Sequence, residues 1–435
     1  MDDRPFPWGA PRGWTGPGRP DGRQQAPRQA PPRQAPPLQA PPTPVGRPIP
    51  RTRLTPRRLL RGTAKVGVAL LAAAVLGTSW YGWSQLQRLT DSLASGGSLQ
   101  VGASTPIDDQ NILLLGLDAR TDAQGNPLPQ PLLDQLHAGD SSTGEDKSDT
   151  MIVLRISDRG RKAVGVSIPR DSYVELGDGS GKHKINTAYT AGKRTAAAML
   201  QARGVTGPEL EVQAAEQGAK AAIKTVEQFT GLTINHYAAV NLAGFYSIAQ
   251  AVGGIPVCLN AAVRDRTYSG ADFPAGPQTI DGANVLAFIR QRHELANGDL
   301  DRVRRQQALL AGLADAVVSG GTLTDSSKLD SVLAAAKTAV SVDEGWDAGG
   351  LIQLLQRVGG GQVEFTTIPV LSLSLQTPFD GDAVQVDPTQ VRAFFQAQTR
   401  AAVDDSRPSA VAPSGSAAVS VPPEPITAGG RNCVN

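Results

Sequence analysis

Two aspartates lie next to short apolar runs that are typical of buried strands. Asp118 follows ILLLGL (112–117), and Asp149 precedes MIVLRI (151–156). Adjacent strands would bring the two carboxylates to neighbouring ends of one sheet. Mg²⁺ is usually held by one or two protein carboxylates with substrate phosphate and water, so the pair is a candidate Mg²⁺ site. Aspartate is also common in turns and at helix N-caps, and this purely structural explanation stays open.

Basic residues further along the chain could bind a polyanion. The segment FIRQR predicts the end of a strand, in which period-two alternation places Arg290 and Arg292 on one face. In DLDRVRRQQALLAGL, a helix would place Arg302, Arg305 and Gln306 on one face through spacings of three and four residues. Guanidinium groups that converge from two elements would suit a phosphate or pyrophosphate, because each donates several hydrogen bonds in a fixed plane.

Arg170 extends this set of basic residues. It stands in SIPRD, directly after the predicted strand AVGVSI (163–168). The alternative is a solvated charged face, on which the arginines pair with Glu294, Asp299 and Asp301. The residues by themselves leave both interpretations open.

Composition excludes several classes of site. Lys and Arg number 42 and Asp and Glu 40, and a net charge of +2 does not indicate a nucleic-acid-binding surface across the chain. Two cysteines cannot form a four-cysteine zinc site, and Cys258 and Cys433 form either a disulfide or two separate thiols. GDGSGKHK (177–184) departs from the phosphate-loop template, and HExxH and GxSxG motifs are absent.

The first quarter of the chain predicts a membrane anchor. Residues 1–62 are rich in Pro and Arg and predict a disordered cytoplasmic arm. The uncharged run VGVALLAAAVLGTSWYGW lies within a predicted transmembrane helix at 63–86, followed by a linker at 87–109. A cleaved signal peptide is the alternative. Because basic flanks stay cytoplasmic, we expect a single-pass cell membrane protein whose C-terminal domain is extracytoplasmic.

Residues 110–403 have the pattern of a globular α/β domain, and 404–435 of a disordered tail. Short apolar strands alternate with longer segments of helical period, which predicts a central, mostly buried sheet covered by helices on both faces and preceded by one transmembrane helix. The loop at 121–147 is long enough to be functional. The later predicted elements are helices at 208–229, 241–252, 302–318, 328–340 and 348–357, a strand at 363–370 and a helix near 388–398.

Seven motifs together resemble the LytR-CpsA-Psr family. They are GLDAR, SDTMIVLRI, VSIPRDSYV, HKINTAY, AVGGIPVCL, LAFIRQRH and GDLDRVRRQQ. They follow the family's order and approximate spacing over about 110–320, and the remainder to about 400 is similar to the C-terminal part of the same fold. The resemblance implies a Mg²⁺-dependent, membrane-anchored ligase. Such an enzyme moves a glycopolymer from a polyprenyl-pyrophosphate carrier onto peptidoglycan.

The resemblance also implies roles for individual residues. Asp118 and Asp149 match the metal-binding carboxylates, and Asp299 in GDLDR matches the candidate general base. Asp301 stands where the family more often has Gly, and the 121–147 loop is longer than in many relatives. The residues implied to bind pyrophosphate are Arg170, Arg290, Arg292, Arg302 and Gln306, with Arg120 and Arg305 at family positions of less defined role.

Three functions remain open at this level. In the first, a peptidoglycan sugar hydroxyl attacks the pyrophosphate, and the products are a phosphodiester-linked polymer and polyprenyl phosphate. In the second, water attacks instead and the protein is a lipid pyrophosphatase. In the third, the protein is a non-catalytic wall-polymer binder or regulator, whose arginine-rich arm contacts a cytoplasmic partner or anionic lipid. Nucleic acid is not an expected partner of any of them.

Overall fold

The structure is a computed structural model, and all the residues it describes belong to one compact unit, Leu71–Asn435. The predicted arm, transmembrane helix and most of the linker lie outside the described residues. Within the described ranges, no helix is both long and apolar enough to cross a membrane. The described residues are 94–95, 110–140, 146–157, 162–291, 293, 295, 297–318, 320–322, 325–344, 363–403, 424–430 and 432–435.

A mixed sheet of eight strands forms the centre of the domain, in the order β1-β12-β7-β2-β3-β4-β13-β16. The pairs β2–β3 and β3–β4 are antiparallel, whereas β2 runs parallel to β7 and β4 parallel to β13. The strands are β1 (Ala94–Ser95), β2 (Gln110–Leu117), β3 (Ser148–Ser157), β4 (Lys162–Ser167), β7 (His236–Val240), β12 (Val340–Val342), β13 (Val363–Thr367) and β16 (Ile426–Thr427).

Smaller sheets and hairpins surround this centre. Strands β11, β8 and β17 form one sheet, and the pairs β5–β6, β9–β10 and β14–β15 are hairpins. Their bounds are β5 (Tyr173–Glu175), β6 (Lys182–Lys184), β8 (Ile255–Leu259), β9 (Val263–Asp265), β10 (Ala271–Phe273), β11 (Gly276–Ile280), β14 (Ser372–Thr377), β15 (Gly381–Gln385) and β17 (Cys433–Val434).

Helices flank the central sheet and bury its apolar residues in two main clusters. The helices are α1 (Gln130–Gln135), α2 (Thr187–Ala202), α3 (Gly207–Thr230), α4 (Leu242–Val252), α5 (Ala283–Arg290), α6 (Asp299–Val318), α7 (Ser326–Ala339) and α8 (Pro388–Val403). One cluster joins Leu113 and Leu115 of β2 to α2, α3 and α8, and the other is built mainly from α4, α5 and α6. The prediction of an α/β fold with a central sheet flanked by helices is therefore confirmed.

The prediction that FIRQR ends a strand is wrong. Phe288, Ile289 and Arg290 are the last residues of the helix α5, Gln291 follows it, and Arg292 lies outside the described residues. Every residue from Val285 to Ile289 is buried. A short segment that is apolar on all sides has no period that distinguishes a helix from a buried strand.

The structure also differs from the predicted element boundaries. Helix α6 begins at Asp299, three residues before the predicted start, and α2 was not predicted. The 121–147 loop contains the short helix α1. The predicted helix at 348–357 lies outside the described residues.

The last residues of the chain are not the unstructured tail that composition predicted. Strand β16 pairs with β13, and β17 pairs with β8. Ile426 and Val434 are each 1% exposed, and a disulfide joins Cys433 to Cys258. Buried side chains and a covalent link order a segment whose local composition is typical of disorder. The question that the sequence left open, disulfide or free thiols, is answered by this pairing.

Candidate active site

The two predicted metal-binding aspartates meet where β2 ends and β3 begins. Because β2 and β3 are antiparallel, with Gly116 opposite Thr150, the end of one strand adjoins the start of the other. Asp118 directly follows β2, and its backbone N–H donates to the carbonyl of Lys147 at 3.1 Å. The strand pairing thus brings the side chains of Asp118 and Asp149 to one cavity.

This cavity has a polar and an apolar side. It is a small cleft that is open to solvent. The polar lining comes from residues that the sequence had predicted as site residues: Asp118, Asp149, Arg290, Arg302 and Gln306. The apolar lining comes from Leu117 of β2 and from helices α4 and α5, through Leu242, Phe245, Leu286 and Ile289. An apolar wall beside charged groups lowers the local polarity and strengthens their electrostatic interactions.

Asp118 is held between two arginines. Nη2 of Arg290 donates to Oδ1 of Asp118 at 2.8 Å, and Nη1 of Arg290 donates to the carbonyl of Leu136 at 3.1 Å. Nη1 of Arg120 lies 3.6 Å from Oδ2 of Asp118. Arg290 therefore connects the end of α5 to the end of β2 and to the loop that follows it.

Asp149 is held by two other arginines. Nη1 of Arg170 donates to its Oδ1, and Nη2 of Arg302 lies 3.0 Å from its Oδ2. The same nitrogen of Arg302 donates to the Asp149 carbonyl at 3.0 Å, and Nε2 of Gln306 donates to that carbonyl at 3.2 Å. The predicted spacing of Arg302 and Gln306 on one helical face is therefore correct, and both side chains point at the start of β3.

Asp299 joins the same charged cluster from the first turn of α6. Its Oδ1 lies 3.4 Å from Nη1 of Arg302 and 3.9 Å from Nε of Arg170. Burial lowers the pKa of the Arg170 guanidinium, but the carboxylates of Asp149, Asp171 and Asp299 outweigh burial and raise that pKa above its ordinary value. Arg170 therefore remains a cation although it is largely buried.

Arg120 is committed mainly to the protein backbone. Its Nε and Nη2 donate to the carbonyl of Ala138 at 3.0 and 2.8 Å, and its Nη1 donates to the carbonyl of Asp118 at 3.0 Å. The side chain thus connects the end of β2 to the part of the 121–147 loop that follows α1. Its role in the structure is to shape the cavity rather than to line it.

Arg305, which the sequence grouped with the pyrophosphate-binding residues, lies elsewhere. It is 0% exposed, and its hydrogen bonds within the described part of the chain go to Gln291, Phe288 and Asn435. Burial lowers the pKa of its guanidinium to about 10, an effect that Asp301 opposes. A side chain enclosed in this way supports the packing of α6 against the C-terminal segment, so we do not assign it to the anion site.

Asp301 has a structural role that was not assigned to it from the sequence. It is 3% exposed, and its carboxylate accepts from the backbone N–H of Asn297 at 3.0 Å and from the side-chain amide of Asn297 at 3.1 Å. These bonds fix the turn that precedes α6 and therefore the position of Asp299. A carboxylate in the first turn of a helix was a sequence signal for this role.

The cavity offers oxygen ligands for one hard cation. Among the described residues, no group of three or more His, Cys, Asp or Glu side chains could hold a metal ion. Mg²⁺ needs only one or two protein carboxylates when substrate phosphate and water complete its shell. The side chains of Asp118 and Asp149 remain 29% and 28% exposed toward the cavity, so this donor set fits Mg²⁺ bound together with a phosphate-bearing substrate.

A second cavity adjoins the first at the end of β2. It is open to solvent, and Leu117 lines both cavities. Its walls come from the sheet and from helices α2 and α3, and they include Ala215, Ala219 and Tyr237. They also carry a charged contact, in which Nζ of Lys193 donates to Asp146 and Glu211. An elongated, partly apolar group could extend from the charged cavity into this space.

Comparison with known proteins identifies the family. The model described as LytR_cpsA_psr family matches residues 83–400, which is well over half of the chain. The chain belongs to the LytR-CpsA-Psr family. The resemblance seen in the seven motifs is thereby confirmed, and the match includes all the site residues discussed above.

Relatives of the LytR-CpsA-Psr family include proteins named for cell wall synthesis. The chain is 43% identical over 337 residues to the cell wall biosynthesis protein LcpA of Corynebacterium glutamicum, covering 76% of this chain and 64% of LcpA. It is 31% identical over 255 residues to the polyisoprenyl-teichoic acid–peptidoglycan teichoic acid transferase TagU of Enterococcus faecalis, covering 58% and 68%. The chain therefore spans less than two thirds of the length of LcpA.

Solved structures show the same LytR-CpsA-Psr fold. The crystal structure of B. subtilis TagV superimposes with a TM-score of 0.50 at 23% identity, covering 69% of this chain and 99% of TagV. Protein gbs0355 of Streptococcus agalactiae superimposes with a TM-score of 0.50 at 18% identity, covering 70% and 91%. At these identities the likeness concerns the fold alone.

Proposed function

We propose that this protein is a phosphotransferase that moves a glycopolymer from a polyprenyl-pyrophosphate carrier onto a sugar hydroxyl of peptidoglycan. The observation that carries the proposal is the single cavity in which two carboxylates, two arginines and a glutamine face an apolar wall. The names of the relatives LcpA and TagU agree with a role in joining polymers to the cell wall.

The charged cluster suits a pyrophosphate linkage. Arg170, Arg290 and Arg302 each contact a carboxylate of the cavity, so their guanidinium groups are held in position before any substrate arrives. A pyrophosphate spreads its charge over several oxygens, and planar guanidinium groups bind such oxygens through paired hydrogen bonds. As the bond breaks, more charge collects on the leaving phosphate, and preorganised cations stabilise that charge.

Asp299 is the group best suited to receive the proton of the acceptor hydroxyl. Its carboxylate lies beside Arg170 and Arg302, at the same cluster as the proposed phosphate-binding groups. As a carboxylate it can accept a hydrogen bond from the hydroxyl and take the proton as the oxygen attacks phosphorus. The attack forms a phosphodiester between polymer and peptidoglycan and releases polyprenyl phosphate.

We assign the metal to the charged cavity and the lipid to the neighbouring cavity. Asp118 and Asp149 would hold Mg²⁺, which when bound would neutralise charge on the phosphate oxygens. The cavity that shares Leu117 would take the first part of the prenyl chain, because its walls are partly apolar and it begins where the charged cavity ends.

A transfer assay with a lipid-linked donor tests the proposed function. The donor carries a labelled polymer on polyprenyl pyrophosphate, and peptidoglycan is present or withheld. We expect label to become covalently attached to peptidoglycan, with polyprenyl phosphate formed in equal amount. Release of free labelled polymer at the same rate without acceptor would instead identify a lipid pyrophosphatase, and recovery of intact donor would identify a binder.

Replacement of either proposed metal ligand should change the Mg²⁺ requirement. Asp118→Asn and Asp149→Asn each remove a charge and keep the side-chain shape, so we expect the Mg²⁺ concentration for half-maximal transfer to rise and excess Mg²⁺ to restore part of the activity. Asp330→Asn, an exposed change on α7, is the matched control and should leave the Mg²⁺ curve unchanged. An unshifted curve in both variants would contradict the assignment.

We further propose that residues 63–86 anchor the protein in the cell membrane, with the described domain outside the cytoplasm. The arginine-rich flank before an uncharged segment supports this orientation. The Cys258–Cys433 disulfide also supports it, because disulfides persist in oxidising compartments. Protease added to intact cells stripped of their wall should digest the domain and spare residues 1–62. Protection of the domain from the protease would contradict this orientation.

A further inference from the structure

An exposed aromatic pair stands on the surface near the charged cavity. Tyr268 lies in the turn between β9 and β10 and is 71% exposed. Its ring stacks on the ring of His293, with centroids 3.9 Å apart and planes inclined by 26°. The stack holds the tyrosine ring in one orientation and leaves much of the side chain open to solvent.

The turn that carries Tyr268 is braced by its own hydrogen bonds. Oγ of Ser269 donates to Oδ2 of Asp265 at 2.8 Å, and both side chains are buried. Nε of Arg266 donates to Oδ2 of Asp272 at 2.8 Å across the hairpin. The ring of Tyr268 is therefore presented by an ordered hairpin.

Short links connect this aromatic pair to the candidate active site. The carbonyl of His293 accepts from Nε2 of Gln291, which directly follows the last residue of α5, Arg290. Gly270, in the same turn as Tyr268, lies beside His137: a Cβ added at Gly270 would be 3.6 Å from Nδ1 of His137. His137 directly follows Leu136, whose carbonyl accepts a hydrogen bond from Arg290. His293 therefore lies three residues after Arg290 in the chain, and the turn that carries Tyr268 adjoins His137, next to Leu136.

We propose that Tyr268 and His293 form a platform that binds a pyranose ring of the acceptor glycan. One face of a pyranose carries mainly C–H groups, and a flat aromatic ring can bury that face while the sugar hydroxyls stay hydrated. The ion pair of Arg266 and Asp272 lies on the same hairpin and offers a donor and an acceptor to those hydroxyls.

The position of the platform favours the acceptor over the donor. The lipid end of the donor is assigned to the cavity that shares Leu117, whereas His293 of the platform lies on the segment between α5 and Asp299. A glycan held there would bring one of its hydroxyls toward the proposed base. This assignment to the acceptor depends on the proposed function, but the binding of a sugar ring by the platform does not.

Direct binding of a soluble sugar tests the platform. The probe is a tetrasaccharide of β-1,4-linked N-acetylglucosamine, titrated into the full chain in detergent and followed by isothermal calorimetry. We expect Tyr268→Ala to weaken binding about tenfold, and Tyr268→Phe, which keeps the ring, to stay within about twofold of the unaltered protein. Because Tyr268 is exposed, neither change should alter thermal unfolding. Phe379→Ala, at a position 86% exposed on another hairpin, is the matched control and should bind normally.

A second measurement separates acceptor from donor. In the transfer assay, Tyr268→Ala should raise the KM for the peptidoglycan acceptor about tenfold with the donor KM and kcat nearly unchanged. A raised donor KM with an unchanged acceptor KM would overturn the acceptor assignment. Failure of the unaltered protein to bind the tetrasaccharide, or equal binding by Tyr268→Ala, would overturn the platform even if transfer is observed. Ring-dependent binding without any transfer would support the platform and refute the proposed function.

Discussion

Asp299→Asn should lower the turnover of polymer transfer by about 10²- to 10⁴-fold, the usual contribution of a general base. The change removes the proton acceptor and keeps the side-chain shape, so binding of the lipid-linked donor should remain largely intact. Excess Mg²⁺ should not restore activity, in contrast to the variants of the proposed metal ligands. The measurement is the initial transfer rate against Mg²⁺ concentration, together with donor affinity.

Two further variants serve as controls for Asp299→Asn. Asp330→Asn alters the net charge equally at an exposed position and should leave turnover unchanged. Asp301→Asn, two residues into the same helix, removes the charge that holds Asn297, so it should lower the free energy of unfolding by about 1–3 kcal/mol and affect turnover less. Recovery of Asp299→Asn by Mg²⁺, while the metal-ligand variants stay inactive, would reverse the roles we assign.

Arg290→Ala should weaken binding of a prenyl pyrophosphate by about ten- to a hundredfold, because a charge-assisted hydrogen bond contributes about 1.5–3 kcal/mol. Among the described arginines that contact Asp118 or Asp149, Arg290 is the most exposed, with 23% of its side chain accessible. Arg290→Lys should recover part of the affinity, since it keeps the charge and loses the planar pair of donors. Binding would be measured by calorimetry with a soluble short-chain prenyl pyrophosphate.

Controls distinguish anion binding from loss of structure. Arg203→Ala removes an exposed arginine at the end of α2 and should leave affinity unchanged. Arg290→Ala also removes a hydrogen bond to Leu136, so thermal unfolding must be compared with that of the unaltered protein. A variant that is folded normally and binds pyrophosphate as tightly as before would show that the anion site lies elsewhere.

Much of the cluster was predictable because its residues follow local rules. Asp118 and Asp149 stand at the ends of apolar runs, and antiparallel pairing of those strands brings the two ends together. Arg302 and Gln306 are four residues apart, so a helix places them on one face wherever that helix lies. The structure directs both toward the start of β3.

Other features could not be predicted from local patterns. Arg305 satisfies the same helical spacing as Arg302, yet it contacts the C-terminal segment rather than the cavity. A spacing of three or four residues places side chains on the same broad face of a helix. It does not determine which neighbouring segment each of those side chains contacts. The aromatic platform joins Tyr268 and His293, which belong to separate elements, and neither residue alone carries a signal for that contact.

The amino-acid sequence by itself determined the family, the α/β class and the identity of most charged groups around the cavity. Those features depend on residue type, short-range periodicity and motif order, all of which can be determined from the linear sequence. The tertiary structure alone decided that the segment up to Arg290 is helical, that the last residues of the chain form strands, and that Arg305 is enclosed. Each of these depends on burial and pairing with residues far along the chain, and the free energy of such contacts outweighs local propensity.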